Sequence, residues 1–196
     1  MKKLFISSFL LPVFLTIFIS LFIIPVLYDK NYVLKYNENV VAIQEKASYI
    51  WPTPGYKTIT SYFGYRVSPT SGASTYHGGV DIGAPQGTKI LAVASGTVKY
   101  VGWNGANGYT VMISHENDAV STYGHVSDNF LVSVGDVVRQ GDVIANVGPK
   151  YIAGPANNPY KDSTGKTTNG ATTGPHLHFA LSISNKKVDP LDYLPK

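Results

Sequence analysis

Short stretches of alternating apolar and polar residues recur along the second half of the chain: Thr88–Ala92, Gly96–Val101, Tyr109–Ser114, Ala119–Tyr123, Val137–Val138 and Asp142–Val147, separated by Gly, Pro or Asn. A period of two puts successive side chains on opposite faces, so each stretch predicts a short, half-buried strand. Turn-bounded strands in series predict antiparallel pairing. Gly135-Asp136 and Gly141-Asp142, each running into valines, predict two successive turns. The run from Pro175 to Leu181 alternates most clearly, with Leu177, Phe179 and Leu181 on one face and His176 and His178 on the other. The expected fold is mainly β, an antiparallel sheet of barrel-like or sandwich-like form with a cleft.

Two regions break this rhythm. Between Gly148 and Gly174 the chain is rich in Gly, Pro, Asn and Thr and has no sustained period. A loop of that length in a compact domain is functional or mobile. Because residues 149–173 lead straight into the strand at Pro175, this loop is read either as a wall or lid of the cleft, with Tyr151 and Tyr160 to contact a peptide, or as a passive insertion.

The other region is the start. Leu4 to Tyr28 is an uncharged run of 25 residues preceded by Lys2 and Lys3. That is long enough to span a bilayer as a helix, and the lysines orient the chain with its N-terminus in the cytoplasm. Residues 1–28 are therefore expected to form a transmembrane anchor. A cleaved signal peptide is the rival, but the run is too long for a usual h-region and lacks a small-x-small cleavage site. Residues 29–50, mixed in charge, read as a stalk able to reach roughly 70 Å when extended. Trp51-Pro-Thr-Pro-Gly55 then opens a domain over residues 51–196.

Composition narrows the chemistry. The formal charge of +4 is spread over scattered Lys and Arg, without the basic stripe of a nucleic-acid binder. The chain has no cysteine, so a metal must be held by His and carboxylate. No Gly-rich Lys-Ser/Thr loop marks a phosphate site. The Gly96-Thr-Val-Lys99 pattern of a lipoyl or biotinyl carrier fails because Lys99 lies within a strand.

All five histidines follow position 76. His77 and Asp81 are four residues apart, about 13 Å in an extended strand, too far for bonds of about 2 Å to one metal. The chain must bend between them, and Gly78 and Gly79 permit it. His176 and His178 sit at i and i+2 and face one cleft. His115 ends a strand and reads as an ordinary hydrogen-bonded residue. Tyr62, Tyr65, Tyr76, Tyr109 and Tyr123 read mostly as sheet-packing residues by default, with some available to line the groove, and Arg66 as a solvated side chain, with binding of a substrate carboxylate as its alternative.

Taken in order, Tyr76-His-Gly-Gly-Val-Asp-Ile-Gly-Ala-Pro85, Tyr123-Gly-His-Val126 and Thr173-Gly-Pro-His-Leu-His-Phe179 resemble the three signature segments of the LytM/lysostaphin-type (M23) zinc endopeptidases. The resemblance runs from about Trp51 to Pro190 and includes the Ser61-Tyr-Phe-Gly-Tyr-Arg66 opening. It implies that His77, Asp81 and His178 bind one Zn2+ ion, with His125 and His176 as catalytic residues beside it. It also implies an antiparallel sheet with a groove, a peptidoglycan peptide as substrate, and cleavage outside the cell membrane. In such a site either His125 or His176 accepts the proton of water. A non-hydrolytic scaffold or wall-binding protein in a membrane-anchored complex is the alternative, with any protein activator left open.

Overall fold

The structure, a computed structural model, describes residues 49–196. The expected anchor and nearly all of the expected stalk lie outside the described residues. Among the described residues no helix is long and apolar enough to cross a membrane. Tyr49 and Ile50, read from sequence as the end of the stalk, join the folded unit. Tyr49 is buried in the core, and the Ile50 N–H donates to the Val93 carbonyl at 2.9 Å.

Among the described residues twelve strands form: β1 (Ile59–Ser61), β2 (Gly64–Tyr65), β3 (Tyr76–His77), β4 (Val80–Ile82), β5 (Lys89–Leu91), β6 (Gly96–Trp103), β7 (Tyr109–Ser114), β8 (Ala119–Gly124), β9 (Val137–Val138), β10 (Val143–Asn146), β11 (Leu177–Ile183) and β12 (Lys186–Val188). Every pairing is antiparallel. The main sheet has the order β1-β4-β11-β8-β7-β6-β9, with β12 also on β11. Two-stranded ribbons β5–β10 and β2–β3 stand apart from it.

The sheet is open, which corrects the barrel-like expectation. Its outermost strands, β1 and β9, pair only inward, and β9 spans two residues, too short to carry a closing ladder. The paired turns expected at Gly135-Asp136 and Gly141-Asp142 are present, and they are built alike. Asp136 Oδ2 accepts from the Ser133 N–H at 2.8 Å, Asp142 Oδ2 from the Arg139 N–H at 2.7 Å, and both glycines take positive φ.

Alternation across β7, β8 and β11 separates two faces. Val111, Tyr123 and Phe179 stand in cross-strand register and are buried. They share one core with Ile90 and Ile144 from the β5–β10 ribbon. Met112, Thr122 and Ala180 form the neighbouring row and line a groove on the opposite face. One face of the sheet is thus a core and the other a floor.

Between His77 and Asp81 the chain leaves the β2–β3 ribbon and enters the main sheet at β4. The bend expected at Gly78-Gly79 is there, but Gly79 is required for close approach rather than for its backbone freedom. A Cβ at Gly79 would lie 2.4 Å from the Phe179 carbonyl oxygen and 2.9 Å from the Ala180 Cβ. At Gly78 it would meet only the Lys187 side chain, which is flexible. Gly79→Ala should therefore cost about 2 kcal/mol or more, since backbone of a central strand must move, and Gly78→Ala distinctly less. Denaturant midpoints of the two variants check this; equal losses would contradict it.

Candidate metal centre

Register alone brings two of the sequence-predicted ligands together. Asp81 in β4 and His178 in β11 are direct cross-strand partners, and Gly124 of β8 flanks His178 on its other side. A Cβ on Gly124 would come 3.3 Å from the His178 Cβ, so glycine there leaves room for the imidazole. His77 arrives from the β2–β3 ribbon, where it pairs with Gly64. The three residues converge on one point. His178 Nδ1 is 2.9 Å from Asp81 Oδ1, His77 Nε2 is 3.1 Å from the same oxygen, and the two imidazole nitrogens are 3.0 Å apart.

Protons cannot satisfy this triangle. His77 Nδ1 lies 2.9 Å from the Tyr62 carbonyl, which can only accept, so Nδ1 carries the hydrogen and Nε2 presents its lone pair. His178 Nδ1 is then the single donor facing two acceptors, Asp81 Oδ1 and His77 Nε2, which meet each other at 3.1 Å with no proton between them. Burial alone would raise the Asp81 carboxyl, but the imidazoles of His176, His178 and His77, when they carry a proton toward it, outweigh burial and hold the group far below the usual carboxylate range. Asp81 therefore keeps its charge and requires positive charge opposite. Burial pushes His178 down as a base, against the opposing pull of Asp81, so a protonated imidazole is a poor counter-charge.

A cation fits better. Tetrahedral ligands at about 2.0–2.1 Å from an ion are about 3.3 Å apart, close to the 2.9–3.1 Å separations here. Two imidazole nitrogens and one carboxylate oxygen, all on buried residues, form the donor set.

His125 and His176 stand next to this triangle. His125 has a left-handed backbone, φ 57°, and its Nδ1 donates to the Asn169 carbonyl at 2.7 Å. His176 Nδ1 donates to the Gly174 carbonyl at 2.9 Å, leaving Nε2 3.5 Å from Asp81 Oδ1. The two rings are 4.6 Å apart, centroid to centroid. In both, a backbone carbonyl holds the tautomer with a free Nε2 lone pair. Burial, with His176 and His178 nearby, pushes His125 well below its ordinary pKa, so it stays neutral and able to accept a proton.

Two further residues belong to the site, and sequence reasoning missed both. Arg66, read as solvated, donates from Nη1 to Asp81 Oδ2 at 3.2 Å and to Ser61 Oγ. It occupies the second carboxylate oxygen and leaves Oδ1 for the triangle. The signal was its place in the Ser61–Arg66 opening. Asn169 is fully buried and uses every polar group: its N–H donates to Lys150 O, Nδ2 to Val126 O, Oδ1 accepts from Tyr109 N–H, and its carbonyl holds His125. In sequence, Asn169-Gly170 reads only as a turn.

Residues 149–173 are not structureless. Bridges link Tyr151 with Thr168 and Lys161 with Thr167. The Asp162 carboxylate accepts from the Thr164 and Lys166 N–H groups and from the Tyr151 hydroxyl at 2.8 Å. Such side-chain turns have no hydrophobic period to detect. Tyr151 is committed to Asp162, and only Ala171 and Thr173 of the segment line the groove. His115 is hydrogen-bonded to Ser95 O and Ser121 Oγ, away from the triangle, as its sequence context suggested. Tyr123 packs in the core and Tyr109 against it, whereas Tyr62, Tyr65 and Tyr76 are exposed because they lie on or beside the small β2–β3 ribbon.

A groove of about 660 Å³ runs over the site. The β2–β3 side contributes Val67, Ser74 and Tyr76, and the opposite side Asn104, Ala106 and Thr173.

An open antiparallel sheet carries this His/Asp triangle in the lining of a groove, and residues 75–159 match the model of peptidase family M23. The chain is 36% identical over 155 residues to the DD-carboxypeptidase/endopeptidase Mpg of Neisseria meningitidis serogroup B, covering 79% of this chain and 31% of that protein. It is 34% identical over 149 residues to the murein hydrolase activator NlpD of Escherichia coli, covering 74% and 31%. Its fold matches the catalytic domain of the antimicrobial peptidase lysostaphin from Staphylococcus simulans, with a TM-score of 0.54 and 26% identity over 70% of this chain and 91% of that one. This chain belongs to peptidase family M23. It spans about a third of the length of the two curated relatives.

The depressed groups set a pH dependence for the metal-free chain. A group with a lower pKa folded than unfolded takes up its proton preferentially in the unfolded state, so its stabilisation is present above the unfolded value and lost below it. His125, His178 and His115 all shift downward through burial, and Asp81 shifts downward through its histidine partners. Stability should fall as pH drops below about 6.5 and again below about 3.9. Denaturant unfolding of the metal-free chain at pH 8, 6, 5 and 3.5 checks this; an unchanged midpoint between pH 8 and 5 would contradict it.

Proposed function

We propose that the chain is a zinc-dependent endopeptidase that hydrolyses peptide bonds in peptidoglycan stem peptides or cross-bridges, outside the cell membrane. One observation carries this reading: two buried imidazoles and a carboxylate converge within 3.1 Å, beside two more imidazoles whose Nε2 lone pairs are free. His77, Asp81 and His178 would hold the ion. Zinc bound there supplies a water of pKa about 7 and a Lewis acid for the scissile carbonyl.

The remaining work falls to this chain's own residues. His125, kept neutral by burial, and His176 are placed to accept a proton at Nε2, to stabilise the oxyanion and to return a proton to the leaving amine, either one serving as base. Arg66 occupies Asp81 Oδ2 and leaves Oδ1 to face the two imidazoles. Asn169 fixes the plane and tautomer of His125. The groove gives an extended peptide a path across these groups. The anchor expected over residues 1–28 would tether the domain to the membrane.

A second reading, a non-hydrolytic scaffold or partner of wall enzymes, is favoured by the similarity to a protein named as a murein hydrolase activator. The intact triangle and both flanking histidines favour hydrolysis, because a scaffold has no need of lone pairs aimed at a shared point.

Single variants separate the two. Asp81→Ala and His178→Ala should lose bound zinc together with peptidoglycan cleavage, each removing one of three protein ligands. His125→Ala and His176→Ala should keep zinc near one equivalent while turnover falls about 10²–10⁴-fold. Full zinc in Asp81→Ala, or undiminished cleavage by His125→Ala, contradicts the assignment. An inert wild-type chain with a full zinc complement favours the scaffold.

A further inference from the structure

We infer that Lys187 makes this groove selective for peptides bearing a free carboxylate over uncharged glycine bridges. The inference rests on the groove being the peptide site proposed above.

Lys187 lies on β12, opposite Ser182 of β11. Its side chain runs across the sheet to the residue that follows the ligand His77, where a Cβ on Gly78 would sit 2.5 Å from both its Cδ and its Nζ. The two glycines of the His-Gly-Gly segment therefore do different things. Gly79 admits the β11 backbone, and Gly78 admits the stem of Lys187 into the groove lining.

Charge then distinguishes Lys187 from its neighbours. Apart from histidines, the charged residues lining the groove are Asp81, Arg66 and Lys187. Asp81 and Arg66 face each other at 3.2 Å, so that pair is internally matched. Lys187 makes no ion pair among the described residues. An ion in the triangle adds positive charge that one carboxylate does not balance. The groove thus carries an excess of positive charge, with one exposed ammonium in its lining.

An oligoglycine bridge has no side-chain charge to meet it. A stem peptide carries carboxylates on its acidic residues and at its free end. A carboxylate over Gly78 would place opposite charges in contact at a partly walled surface, where the interaction is screened less than in open water. Lysine suits the task, because its flexible stem lets the ammonium follow carboxylates at slightly different depths.

The test compares synthetic stem peptides in which each carboxyl group in turn is free or converted to the carboxamide. Binding is measured by calorimetry on the zinc-loaded, full-length His125→Ala chain at low salt, so that turnover does not consume the ligand. One free carboxylate should bind about tenfold more tightly than its amide, equivalent to about 1.4 kcal/mol. That ratio should fall to near one in the additional presence of Lys187→Gln and be retained with Lys187→Arg. Equal affinity for every acid and amide pair, or a ratio unchanged by Lys187→Gln, overturns the inference. Absence of hydrolysis by the wild-type chain would instead remove the peptidase reading while this binding ratio still decides the role of Lys187.

Discussion

The antiparallel pairing of Asp81 with His178 across β4 and β11 is the constraint on which the site depends. Register in a sheet is quantised: a slip of one residue sends every side chain to the other face. The same register that sets Asp81 against His178 sets Ile82 against Leu177 and Val80 against Phe179, all four in the core. Burial of these apolar residues therefore enforces the ligand pair, and a slip would cost both at once. Gly79 and Gly124 complete the arrangement by letting backbone and imidazole come within contact distance.

A second constraint is electrostatic. Four histidines and one carboxylate share a small volume, and only their hydrogen bonds to surrounding groups keep them ordered. Carbonyls of Tyr62, Asn169 and Gly174 each accept a hydrogen bond from an imidazole Nδ1, so three Nε2 lone pairs point inward. His178 faces inward through Nδ1 instead, because it stands on the strand directly opposite Asp81. Neutral lone pairs around a fixed negative charge describe a cation site prepared in advance of its ion. Such a site is sensitive to protons, since the buried histidines and the Asp81 carboxylate support the fold only while they stay unprotonated.

Much of this was legible in the residues. Strands β7 and β9 have the bounds the alternation predicted, and β6, β8 and β11 differ only at their ends. His77, Asp81 and the His176/His178 pair stood out because their spacing implied a bend and a shared strand face; the bend is there, whereas β11 begins at Leu177, so that His176 lies just before the strand that carries His178. What sequence concealed were relationships at a distance. Arg66 looks like any surface arginine until β4 brings Asp81 beside it, and Asn169 looks like a turn residue until Tyr109, Val126 and His125 close around it. The order within residues 149–173 was hidden for a different reason: Asp162 and Asn158 build it from polar bonds that leave no periodic trace. Closure of the sheet was misjudged because strand count does not reveal which edges meet. Tyr49 was assigned to the stalk because the mixed-charge stretch preceding it masks a ring that packs into the core.

The central claim is that two imidazoles and one carboxylate bind the ion, while His125 and His176 stand beside it without binding. Zinc K-edge absorption of the metal-loaded, full-length chain tests that division most directly, because multiple scattering from imidazole rings counts them. The account predicts a four-coordinate N/O shell at about 2.0 Å with two imidazoles. A shell with three or four imidazoles would make His125 or His176 a ligand and contradict the claim.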